Sequence, residues 1–205
     1  MPTYPRPVAA LVGAICLSLC IVTQATAAAP ESVRVAAPEV LPGDSLYQLD
    51  LPLTDQTGAT FPFVTLRGRL QLVSMFYTSC RYVCPLIIDT LKKTEATLSD
   101  AQRAQLGVVV VSFDPARDDV AALSVVAEKR HLDAARWHLV RADESHVRLL
   151  AAALDIQYRR LDDGEFNHAS RVILLDRDGR RIASTGKLGE VDPVFIAALK
   201  AAIQP

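Results

Sequence analysis

Cysteine is scarce: four residues in 205, too few to staple a domain of this size, so the fold must rest on a hydrophobic core. Charge of one sign is missing as well. The 22 Lys and Arg face 23 Asp and Glu, a net of −1, with no run of five like charges. That excludes a nucleic-acid binder working by bulk charge, and it leaves no polybasic membrane patch. No GxSxG, GxxxxGK or GxGxxG occurs, so a serine hydrolase, a P-loop nucleotide binder and a dinucleotide binder lack support. Residues 116–192 contain no proline. What is present is ordinary for a packed domain, with 50% apolar and 22% charged residues.

The cysteines fall in two close pairs, Cys16/Cys20 and Cys80/Cys84. The first pair lies in an address. Residues 8–22 are an unbroken run of apolar and small side chains behind Arg6, followed by Ala25-Thr26-Ala27 and then Pro30. A basic start, an apolar stretch and small residues make a secretory signal. The run is shorter than the roughly 20 residues that span a bilayer. Residues 1–28 are read as a signal cleaved near Ala27. The alternatives are a retained N-terminal anchor, or acylation of Cys20, against which the bulky Leu19 weighs. The rest works in a periplasmic or other extracytoplasmic setting, where thiols tend to oxidise, and meets the membrane only through a retained N-terminus. Residues 29–45, with Pro30, Pro38 and Pro42, read as an extended tether, and residues 46–205 as one domain.

Within that domain, Asp55-Gln56-Thr57-Gly58 marks a hairpin turn between two short strands in 48–66. Residues 70–77 and 106–113 are apolar runs of strand length, as expected of strands buried on both faces. Helices are expected over 85–99, 118–131, 145–154 (with Asp143 as cap) and 192–203, where Pro193 suits the first turn. Short strands are expected at 137–140, 171–176 and 180–184, the last two joined by Arg177-Asp178-Gly179. Alternating strands and helices closed by a hairpin and a helix describe an α/β fold. The order is that of a thioredoxin-like three-layer α/β/α domain with an N-terminal β-hairpin extension.

Cys80 and Cys84 sit where the run at 70–77 turns into the following helix. Their spacing puts both sulfurs on one helix face if the first turn includes them. The helix N-terminus and the Arg81 cation both favour thiolate, the form that ligates soft metals and attacks disulfides. A structural disulfide is the blander alternative, but so small a loop gains only about 2 kcal/mol or less of chain entropy.

Of the four histidines, His131, His138 and His146 stand at a helix end, beside Trp137 and in a helical turn, ordinary surface or packing positions. His168 differs. It lies in a polar loop, residues 163–170, that runs directly into the strand at 171–176. In a thioredoxin-like topology a cis-proline usually stands there, facing the active cysteines. A histidine in its place brings an imidazole toward the two sulfurs, a donor set that suits copper and also zinc. Met75, in a buried strand, is the sole thioether after residue 28, so a methionine-lined copper site is not available.

Three segments together carry a family resemblance: Tyr77-Thr78-Ser79-Cys80 with Val83-Cys84-Pro85; residues 111–118, reading Val-Ser-Phe-Asp-Pro-Ala-Arg-Asp; and Asn167-His168 before a strand ending in Asp176-Arg177-Asp178-Gly179. The chain resembles the Sco/SenC family of copper-binding, thioredoxin-like assembly factors for cytochrome c oxidase. The likeness covers roughly residues 45–203. It implies that Cys80, Cys84 and His168 bind copper as Cu(I) or Cu(II), and that the protein loads, or reduces the thiols of, the dinuclear copper site of the oxidase. Asp114 matches an acidic position near the metal pocket of similar proteins; as an Asp-Pro residue it is equally a turn former. One departure stands out. Where family members often carry Pro and an acidic residue between the cysteines, this chain has Arg81 and Tyr82, which disfavours a bound cation and favours the bare thiolate.

The leading expectation is therefore an exported copper metallochaperone, a binding and transfer protein rather than an enzyme. Its partner would be a copper-receiving oxidase subunit or another periplasmic copper or thiol protein. The alternative is a thiol–disulfide oxidoreductase, with Cys80 attacking and Cys84 resolving. A peroxide-handling enzyme built on Cys80, Thr78 and Arg81 leaves Cys84 and His168 unexplained. The near-neutral surface offers no obvious partner patch, and no nucleic-acid partner is expected.

Overall fold

Asp55 closes the turn at residues 55–59. Its Oδ1 accepts from the Thr57 N–H (2.9 Å), the Thr57 hydroxyl (2.6 Å) and the Ala59 N–H (3.2 Å). This turn joins β1 (Pro52–Asp55) to β2 (Thr60–Pro62) as an antiparallel hairpin. Next come β3 (Leu70–Phe76), α1 (Val83–Ala96), the short α2 (Asp100–Arg103) and β4 (Leu106–Ser112). They are followed by α3 (Val120–Lys129), β5 (Trp137–Arg141), α4 (Glu144–Ala153), β6 (Tyr158–Arg160) and β7 (Phe166–His168). The order ends with β8 (Val172–Leu175), β9 (Arg181–Thr185) and α5 (Pro193–Ala202). The computed structural model describes residues 40–203, so the signal expected at 1–28 and residues 29–39 of the tether lie outside the described residues.

Seven strands form one mixed sheet in the order β2-β1-β5-β4-β3-β8-β9. β3, β4 and β5 run parallel, while β8 and β9 continue the sheet antiparallel beyond β3. Every residue of β3, β4 and β8 is buried, so both faces of the sheet centre are covered and the domain is layered. This is why those runs show no polar alternation. Each fully buried Val or Leu side chain here stabilises by roughly 1.5–3 kcal/mol. The β1–β2 hairpin extends the sheet past β5, as expected of the N-terminal extension. Among the described residues no helix is long and apolar enough to cross a membrane.

The helices begin where their caps dictate. Asp119, Asp143 and Asp192 accept from the N–H groups of Ala122, His146 and Val194 to open α3, α4 and α5. Buried Glu95 fixes α1 to the start of β5. It accepts from the Trp137 indole (2.8 Å) and pairs with Arg136, so its charge is compensated. One expectation is corrected. Residues 163–170 are not simply a loop: β6 and β7 form a separate two-stranded antiparallel sheet, with His168 opposite Tyr158 in the last strand. These strands are half exposed and carry Arg159 and Arg160, so they lack the apolar pattern that marks a core strand.

Gly179 shows how tightly the β8–β9 turn is packed. Its φ is +82°, and a Cβ there would stand 2.6 Å from the Tyr47 ring. Gly68 has a similar φ of +91° but open space around it. Gly179→Ala is expected to lower unfolding stability by about 2–4 kcal/mol, combining backbone strain with overpacking. Gly68→Ala bears the backbone term alone, about 1–2 kcal/mol. Urea unfolding of the two variants checks the difference.

Candidate metal centre

β3 ends at Phe76 and α1 begins at Val83, so residues 77–82 form the turn that carries Cys80. One carboxylate holds that turn. Asp118, 1% exposed, accepts from the Thr78 N–H (3.0 Å), the Thr78 hydroxyl and the Ser112 hydroxyl. The end of β3, the end of β4 and the approach to α3 are thereby tied together. Cys80 does not share the first turn of α1, as the spacing alone had suggested; handing Thr78 to Asp118 leaves this stretch non-helical. The sulfur instead serves the helix from outside. Tyr82 occupies the N-cap position without a side-chain cap bond, and the Cys84 N–H donates to the Cys80 Sγ at 3.3 Å.

The two thiols, both free, occupy opposite environments. Cys80 is half-buried. Burial alone would raise its pKa, but the N–H groups of Cys84, Tyr82 and Val83, together with the Cys84 thiol, outweigh that and bring it below the usual 9.0. Cys84 is 2% exposed. Burial first, then the Cys80 sulfur and the Asp118 charge, push its thiol well above the ordinary range. The two environments push the thiols in opposite directions, Cys80 toward ionisation and Cys84 away from it.

Cys80 stands between two pockets. A slot of about 130 Å³ is lined by Cys80, Cys84, Pro85, Ile88, Val126 and Lys129, among others. A wider cleft of about 620 Å³ on the other side brings Cys80 to Arg81, Tyr82, Glu165, Asn167 and His168. The structure thus places Cys80 with each of the other two expected ligands, Cys84 through one pocket and His168 through the other. Among the described residues, no three His, Cys, Asp or Glu side chains already stand close enough together to cage an ion.

His168 is a half-buried ring held by aromatic contacts. It packs on Phe113 (centroids 4.8 Å apart) and edge-on to Tyr77 (6.1 Å). Nδ1 contacts the Ala169 carbonyl and the Ser170 hydroxyl, both at 3.3 Å, and Nε2 carries no hydrogen bond among the described residues. Burial pulls its pKa below the usual 6.5, so the lone pair is available at neutral pH.

Two polar clamps fix its hairpin. The Tyr77 hydroxyl donates to Glu165 (2.7 Å), and Arg117 donates to the Gly164 carbonyl (2.6 Å) with its guanidinium over the Phe166 ring (5.9 Å). Asp114, the acidic residue of the family pattern, is buried and pairs with Arg117; it lines neither cysteine pocket. Asp118, Tyr77 and Glu165 are the site residues that reading the sequence missed. The other histidines are structural: His131 takes φ +51° after α3, His138 pairs with Asp55 (3.1 Å) and His146 with Asp143 (2.7 Å).

Alkylation by iodoacetamide is expected to modify Cys80 alone at neutral pH, its rate reaching a plateau at lower pH than that of an unperturbed thiol, with Cys84 untouched; peptide mapping by mass spectrometry reads this. Asp118→Asn presents an amide N–H₂ to groups that are themselves donors. It is expected to cost about 1–3 kcal/mol and to make Cys84 reactive in the same assay.

With this geometry in hand, the comparisons with known proteins are specific. Over 136 residues the chain is 26% identical to a SCO2-like protein of Rickettsia typhi, covering 63% of this chain and 65% of that one. A stretch of 68 residues is 34% identical to a Stutzerimonas stutzeri protein, of which it spans only 33%. The fold matches that of yeast Sco1 with copper bound at a TM-score of 0.62 and 18% identity, covering 75% and 86% of the two chains. It also matches a SCO1/SenC family lipoprotein of Bacillus anthracis at 0.67 and 19%, covering 76% and 97%. These likenesses establish the thioredoxin-like α/β fold. The SCO1/SenC family model matches residues 42–204, nearly the whole of the described domain, and the chain belongs to the SCO1/SenC family.

Proposed function

We propose that this protein is an extracytoplasmic copper-binding protein in which Cys80, Cys84 and His168 hold the ion, and that it delivers copper to the copper site of a cytochrome c oxidase. The observation that carries the reading is the position of Cys80, shared between a pocket with Cys84 and a cleft with His168. The donor set fits copper. Two sulfurs are soft ligands and the bare Nε2 is an imidazole donor, a set that serves both oxidation states. Copper bound to yeast Sco1 supports the same assignment. The hairpin that carries His168 would set how the imidazole reaches the sulfurs across the shared cleft. Copper is cargo here, passed by ligand exchange to the acceptor's own thiolates.

The segment at 1–28 would export the chain, residues 29–45 would tether it, and 46–205 would form the working domain. The lipoprotein relative supports an extracytoplasmic, membrane-attached setting.

A second reading is favoured by the asymmetry of the thiols. A half-exposed Cys80 of lowered pKa beside a buried Cys84 of raised pKa is the arrangement of a dithiol reductant. The Cys80 thiolate would attack a partner disulfide, forming a mixed disulfide and releasing one partner thiolate. Cys84, losing its proton to solvent, would then displace the second thiolate. The partner gains two electrons and the chain is left with a Cys80–Cys84 disulfide. Such a step is a natural prelude to loading copper onto the same cysteines.

Anaerobic addition of Cu(II) to the reduced protein is expected to give one copper per chain with intense thiolate-to-copper charge transfer, lost in Cys80→Ser and His168→Ala. Because the His168 pKa is lowered, the colour is expected to persist at pH 6.5 and to fade only in more acidic solution, as the ring takes up its proton. His168→Ala is expected to weaken Cu(II) more than Cu(I), which two thiolates hold alone. Oxidation of the pair to a disulfide with no coloured complex would overturn the copper reading in favour of the reductant.

A further inference from the structure

The residues between the cysteines, where this chain departs from the family pattern, lie open at the surface. Tyr82 is 82% exposed and Arg81 is exposed beside it. One helical turn on, Leu86 is 43% exposed on the same face of α1. On the other side of Cys80, exposed Lys129 at the end of α3 rims the slot that holds both cysteines, with Arg130 next to it. Arg130 is compensated by Asp89 at 3.1 Å. Arg81 and Lys129 have no carboxylate partner among the described residues. Asp162, Asp163 and Glu165 belong to the β6–β7 hairpin across the cleft, where Glu165 is engaged by Tyr77, and exposed Glu190 follows Gly189, which packs beside Leu86. A chain of net charge −1 therefore presents a cationic, partly apolar lip on the helix side of its reactive sulfur.

We infer that the polypeptide exchanging with Cys80 is an acidic one: a cysteine-bearing segment whose carboxylates meet Arg81 and Lys129 and whose apolar side chain rests on Tyr82 and Leu86. The inference rests on the thiol chemistry proposed above and adds the character of the partner. Uncompensated charges at the rim of a reaction site act mainly on encounter, raising the association rate of opposite charge and suppressing like charge. Added salt screens such steering, so it is strongest at low ionic strength. The electron balance is that of the dithiol exchange: the partner disulfide is the oxidant, and the Cys80–Cys84 pair supplies two electrons.

The test uses the reduced protein and three disulfide-linked peptides of one length, with the cysteine flanked by Asp and Leu, by Ser and Leu, or by Lys and Leu. Dithiodipyridine, a small neutral disulfide, is run beside them as a measure of sulfur nucleophilicity. The acidic peptide is expected to react on the order of ten-fold faster than the basic one at low ionic strength, the gap closing in 0.5 M salt. In an Arg81→Glu/Lys129→Glu double variant the preference is expected to reverse once each rate is divided by its dithiodipyridine rate. Equal rates for the three peptides with normal dithiodipyridine reactivity would overturn the acidic partner while leaving the thiol chemistry standing. A Cys80 unreactive toward dithiodipyridine would overturn the thiol chemistry, and the inference with it.

Discussion

The Asp118 carboxylate is the constraint on which the site depends. It is buried, it is acceptor-only, and it takes three donors from two different chain segments. Charge-assisted bonds to a buried anion are among the stronger ones available to a fold, and leaving any of these donors unpaired would cost more than the bond itself is worth. By gripping Thr78 it keeps residues 77–82 out of the helix. The Cys80 sulfur is thereby left beside the first amides of α1 instead of joining its spiral. A six-residue turn of ordinary sequence thus becomes a holder for a sulfur whose ionisation is favoured.

The same carboxylate helps divide the labour between the cysteines. Its negative charge, with burial and the neighbouring sulfur, discourages ionisation of Cys84, while the helix amides encourage it at Cys80. Four residues apart, the thiols differ in exposure, proton affinity and access. A pair built only for stability has no use for such a difference. A pair that accepts cargo from one side, or is attacked from one side, does.

Much of the fold was legible in the sequence, and for a definite reason. β3, β4 and β8 are covered on both faces, so their residues are mostly apolar and read as strands without alternation. The caps at Asp143 and Asp192 follow from local chemistry alone. The β6–β7 hairpin escaped because Tyr-Arg-Arg and Phe-Asn-His bury too little to show a period; the Asp163-Gly164 pair between them was the available signal. Cys80, Cys84 and His168 stood out through spacing and a missing proline. The role of Asp118 did not, because this residue reads as the first of the helix expected over 118–131. Asp119 is the cap, accepting from Ala122 at 2.8 Å, and frees its neighbour to turn inward. Nothing in one dimension distinguishes two adjacent aspartates.

The strand that bears His168 pairs only with β6 and shares no ladder with the seven-stranded sheet. Residues can therefore be added to or removed from its turn at Asp162-Asp163-Gly164 without shifting the register of any core strand. The reach of the imidazole toward the sulfurs is in this sense a dial separate from the stability of the domain. Small insertions at one surface turn can reposition the imidazole, generation by generation, while the scaffold that presents the thiols stays as it is.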